Sequence, residues 1–99
     1  MRIAIPHNTT RARAKKIVEQ RLKSAEREHK HVAKDLDYEW HGHTLHIAAK
    51  AAGLSVKGTV EITDSDVIID GKLPLLAKPF ESKIRHTVER EAEEMFGTA

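Results

Sequence analysis

The stretch 36–73 constrains the fold more than any other, because its segments alternate apolar and polar residues with the period of a β-strand. Between 54 and 63, Leu54, Val56, Val60 and Ile62 alternate with Ser55, Lys57, Thr59 and Glu61. One face is therefore built for burial and the other for water. A tight turn at Asp64-Ser65 places Ile62 opposite Val67, Val60 opposite Ile69, Gly58 opposite Gly71 and Val56 opposite Leu73. A second turn at His41-Gly42 places Trp40 opposite His43, Tyr38 opposite Leu45 and Leu36 opposite Ile47, with Asp37 and His46 on the other side. Both hairpins gather their large apolar residues on one common face. The stretch is predicted to be a four-stranded antiparallel meander whose apolar side needs a cover.

The flanking segments supply one. Ile3 and Ile5 alternate in a short edge strand that Pro6 stops, and Asn8, Thr9 and Thr10 are N-cap candidates. Residues 10–34 contain no Gly or Pro and are rich in helix formers, so a helix is predicted there. Ala14, Ile17, Val18, Leu22, Ala25, Val32 and Leu36 share one of its faces. Residues 50–53 read as a small-residue turn within the meander. In the run 73–80, Pro74 ends the last strand and Pro79 opens a second helix, which reaches about Phe96 with Gly97 as its C-cap. Phe80, Ile84, Val88, Ala92 and Met95 mark its buried face. The expected fold is α+β: an antiparallel sheet of about five strands in the order β-α-β-β-β-β-α, with both helices packed on one face. Residues 1–99 are expected to form a single domain.

Charge narrows the functional classes. Residues 1–50 carry 11 Lys/Arg against 6 Asp/Glu and residues 51–99 carry 6 against 9, so the halves are +5 and −3. Lys16, Lys23, Arg27, Lys30 and Lys34 fall within an arc of about 60° on the predicted first helix, a stripe roughly 27 Å long. Such a stripe suits an anionic surface or nucleic acid, although a solvated helix face has the same composition. The chain has no cysteine, which removes disulfides, thiolate metal sites and a Cys nucleophile, and agrees with a reducing cytoplasm. No run approaches the roughly 18 apolar residues of a membrane span, and no signal-peptide core is present, so a soluble protein is expected.

Catalytic chemistry finds no constellation. Ser24, Ser55, Ser65 and Ser82 lie outside any nucleophile-elbow pattern, no phosphate-binding glycine loop is present, and Asp64, Asp66 and Asp70 are too few and too irregular for a calcium loop. His41, His43 and His46 invite a metal, but the register above sends His43 and His46 to opposite faces. No enzyme, no metal site and no cofactor are expected. The candidate pocket is instead apolar: Gly58 and Gly71, paired on the inner face, leave either a dent for a helix or a bulge, and Phe80 and Glu91 lie on the helix above. Glu91 falls within an apolar stripe. It either faces a ligand or pairs with a cation of the first helix, for which Arg21 is placed.

The first helix from Ala12 to Leu22, the hairpin Tyr38-Glu39-Trp40-His41-Gly42-His43-Thr44-Leu45-His46, the strand from Gly53 to Ile62 and the closing Leu73-Pro74-Leu75-Leu76-Ala77-Lys78-Pro79-Phe80 carry a resemblance. Together they resemble the polyhydroxyalkanoic acid system, or granule-region, proteins of bacteria over nearly the whole chain. The order of elements is also similar to a trimmed helix-grip protein, a likeness of fold alone. The first resemblance implies a non-enzymatic cytoplasmic protein associated with polyester storage granules, which binds a granule surface, an apolar ligand or a granule-associated protein. The alternative is a nucleic-acid or anionic-surface module using the basic stripe. A first helix of about 25 residues, roughly 37 Å long, would outreach the strands and bring its free end to a second copy in a homodimer.

Overall fold

The computed structural model describes residues 1–28, 33–51, 54–72 and 75–96. The elements run β1 (Arg2–Pro6), α1 (Arg11–Glu28), β2 (Ala33–His41), β3 (Thr44–Ala51), β4 (Leu54–Ile62), β5 (Asp66–Lys72), a 3-10 segment (Leu75–Phe80) and α2 (Glu81–Phe96). They form the expected α+β fold, with one five-stranded antiparallel sheet ordered β1-β5-β4-β3-β2. The first strand closes one edge against the last, and the meander takes the remaining places in sequence order. The α1 connection therefore leads from one edge of the sheet to the other.

The β4–β5 hairpin has the register read from alternation: Ile62 pairs with Val67, Val60 with Ile69 and Gly58 with Gly71, while Leu73 lies outside the described residues. The β2–β3 hairpin differs. Its turn is Gly42-His43, so His41 pairs with Thr44, Trp40 with Leu45 and Tyr38 with Ile47. Gly42 has φ +64°, whereas His43 does not enter the left-handed region. That is the order of a II′ turn, which wants glycine at its first central position. Moving the turn by one residue shifts each partner by two, and every side chain keeps its face. A bulge between Lys34 and Asp37 adds a further irregularity to β2.

The α1 helix is shorter than predicted, 18 residues in place of about 25, and Lys34 belongs to β2, paired with Lys50. No local breaker ends it. The ladder with β3, which already includes Ala33 and Ala51, takes the chain away from helical geometry. Lys50 and Ala51 accordingly belong to β3 and not to a turn. At its start, Thr10 caps α1 by accepting from the Arg13 amide at 3.2 Å, and its carbonyl receives the Ala14 amide at 2.9 Å.

The two helices cover one face. Ala14 and Val18 of α1 and Phe96 of α2 pack with Leu45, Val60, Ile62 and Val67. A neighbouring cluster joins Ile3 and Ile5 of β1 to Ala92, and both Ile69 and Met95 touch both groups. Leu45 is fully buried, and its removal from water stabilises the fold by about 1.5–3 kcal/mol. Phe80 contradicts the expected buried stripe of α2: it ends the 3-10 segment ahead of the helix and is 61% exposed. Tighter 3-10 winding takes it out of the α-helical phase that buries Ala92 and Phe96. His7, which continues the alternation of Ile3 and Ile5, is the buried polar side chain of the core among the described residues. Its Nε2 donates to the Thr63 carbonyl at 2.8 Å and its Nδ1 accepts from the Thr9 amide at 3.2 Å.

Candidate functional site

Between α1, α2 and the sheet lies an open cleft of about 350 Å³. Helical spacing explains its walls. Val18, Arg21, Leu22 and Ala25 stand at i, i+3, i+4 and i+7 on α1, and Thr87, Glu91 and Met95 at i, i+4 and i+8 on α2. Leu45, Ile47 and Val60 form the floor. Leu45 and Val60 lie buried beneath the helices and Ile47 is the half-buried part of the floor; α1 lies against β4 and α2 against β1. The volume falls within the range of small-molecule sites.

Two charges join the walls. Arg21 donates from Nε at 3.0 Å and from Nη2 at 2.7 Å, both to Oε2 of Glu91. Its Nη1 lies 3.8 Å from Glu28. The hydrogen bond to Glu91 raises the Arg21 guanidinium above its ordinary value, against a smaller lowering by burial. Thr87, the remaining polar group of the lining, donates its hydroxyl to the Lys83 carbonyl at 3.0 Å. Glu91 thus has the α1 partner that its place in an apolar stripe called for.

The other predicted pocket residues are not brought to this cleft. Gly58 and Gly71 do pair, but a methyl at Gly71 would meet the Met1 side chain at 3.6 Å, so Met1 fills that part of the dent. Gly58 lines a different hollow of about 480 Å³ on the uncovered face, where small Ala48 and Thr59 are surrounded by Asp37, Glu39, Lys57 and Lys72. Phe80 stands apart in solvent. Sequence reasoning missed Thr87, Met95 as a lining group and the α1 wall. The signal is the series from Val18, whose apolar members Val18, Leu22 and Ala25 the pattern assigns to packing while Arg21 is read as the partner of Glu91.

The basic stripe is also reduced. Lys16, Lys23 and Arg27 are exposed on α1, Lys30 lies outside the described residues, and Lys34 is in β2. Lys15, omitted from the stripe, turns toward the sheet, donating to the Gly42 carbonyl at 3.0 Å and lying 4.7 Å over the Trp40 ring. His41 ends β2 and His43 is in the turn, the reverse of the expected placement. The His41 and His46 rings meet edge to face at 4.9 Å on the uncovered sheet face, with Glu39 3.5 Å from His41. Among the described residues, no group of three or more His, Asp or Glu is arranged to hold a metal ion. Among them, no helix is long and apolar enough to cross a membrane.

Fold and cleft define a class: a small sheet carrying two helices on one face, with an open apolar groove between them. The family model described as "putative polyhydroxyalkanoic acid system protein" matches residues 1–96, and the chain belongs to that family. No curated protein and no solved structure matches it.

Proposed function

We propose that this chain is a non-enzymatic accessory protein of polyhydroxyalkanoate storage granules, working in the bacterial cytoplasm and binding an apolar group that the granule presents. Family membership supplies the context. The observation that carries the binding role is the apolar cleft between α1, α2 and the sheet. An accessory role in place of catalysis is supported by the state of its polar groups: Arg21 and Glu91 hold each other, and Thr87 holds its own helix backbone. The nucleic-acid alternative has weaker support, since the stripe loses Lys34 to the sheet. Removing the protein from polymer-producing cells tests the reading. The expected result is altered granule size or polymer content; unchanged granules and polymer would contradict it.

A further inference from the structure

The geometry points to a hydroxyalkanoyl ester as the ligand of the inter-helix cleft, its aliphatic tail along the half-buried Leu22, Ile47 and Met95 and its hydroxy-carbonyl head at Arg21 and Glu91. This rests on the granule reading above and names the chemistry of the same cleft. Charge complementarity selects the head group. Arg21 faces two carboxylates, Glu91 and Glu28, so a free carboxylate would meet a site that already carries more negative than positive charge. An uncharged head with one acceptor and one donor meets no such conflict. Both Arg21 donors converge on Oε2 of Glu91, and among the described residues this leaves Oε1 as an acceptor for a hydroxyl. The guanidinium carries five N–H groups; Nε and one on Nη2 go to Glu91 and Nη1 faces Glu28, so the second N–H of Nη2 can donate to an ester carbonyl. The rest of the lining is apolar apart from Thr87, whose hydroxyl is directed to the Lys83 carbonyl. A tail is thus received by dispersion and water release alone. The volume of about 350 Å³ admits on the order of ten non-hydrogen atoms, taking roughly 30 Å³ for each water-sized group.

The methionines make the test direct. The chain has two, Met95 in the cleft wall and Met1 beside Gly71. With methyl-labelled methionine, a titration with methyl 3-hydroxyalkanoates of increasing length should shift the Met95 signal and leave Met1 in place. Affinity should rise about fourfold per added methylene until the cleft is full. The hydroxy ester should bind more tightly than the matching ester without the hydroxyl, and Glu91→Gln, checked for folding by circular dichroism, should reduce that preference. Ala25→Phe, which narrows the cleft from its rim, should weaken every ester. A Met95 signal unmoved by all esters, or a carboxylate bound more tightly than the hydroxy ester, overturns the assignment. Co-sedimentation of the same protein with granules separates the two readings: if it persists while Met95 stays unmoved, the ligand assignment fails and the granule role stands. If both are lost, both fail.

Discussion

Arg21 and Glu91, seventy positions apart, close into a two-donor ion pair on one carboxylate oxygen, at 3.0 and 2.7 Å, across the gap between the two helices. The pair ties α1 to α2 across the mouth of the cleft. Both side chains keep substantial solvent contact, 32% and 39% of their surfaces, so screening limits the strength of the pair. A double-mutant cycle with Arg21→Met and Glu91→Gln should give a coupling of about 1 kcal/mol in chemical denaturation. A coupling near zero would show that the pair does not join the helices in solution.

Tyr38 is the sole tyrosine, and its phenol donates to Glu26 at 3.3 Å. Burial of the ring, followed by the Glu26 charge, holds it above the ordinary 10.0. The folded chain therefore keeps this proton more tightly than the unfolded chain. The resulting stability is present below the ordinary tyrosine pKa and is lost as pH rises through the folded-state value. Phenolate absorbance should titrate with a midpoint above 10.0, and Glu26→Gln should lower that midpoint. A wild-type midpoint at or below 10.0 would contradict the contact.

The paired glycines should respond differently to alanine. At Gly58 a methyl would sit 3.0 Å from the backbone oxygen of Asp70, within a paired strand that yields little. Gly58→Ala should destabilise by about 1–2 kcal/mol. At Gly71 the nearest atom is the end of the flexible Met1 side chain at 3.6 Å, and Gly71→Ala should be neutral or stabilise by up to about 1 kcal/mol. Denaturation followed by Trp40 fluorescence distinguishes the two, and equal effects would refute the asymmetry.

His7 bonds through both ring nitrogens at a site 2% exposed, joining the end of β1 to the β4–β5 hairpin. Replacing it by Leu removes the ring's bonds to the part-buried Thr63 carbonyl and Thr9 amide. A loss of roughly 2–4 kcal/mol is expected in the same denaturation assay. Unchanged stability would mean that both groups find other partners.

What was legible in the residues followed their periodicity. The β4–β5 register was readable because Asp64-Ser65 sits between two clean alternations, so the turn and the apolar pattern agree. The β2–β3 turn was misplaced by one residue because alternation is blind to that shift; the positive φ of Gly42 decides it. The end of α1 was not legible, since pairing of Ala33 with Ala51 is a long-range event and residues 29–35 contain no helix breaker. Of the candidate site, Glu91 and its partner Arg21 could be read because a charge within an apolar stripe demands an explanation. The cleft itself could not, because its volume depends on how far apart the two helices settle on the sheet.

Co-sedimentation of the purified protein with native polyhydroxyalkanoate granules tests the central claim most directly. Wild-type protein should move into the granule fraction and Ala25→Phe, still folded, should remain largely in the supernatant. Wild-type protein that stays in the supernatant at every granule concentration would contradict the account.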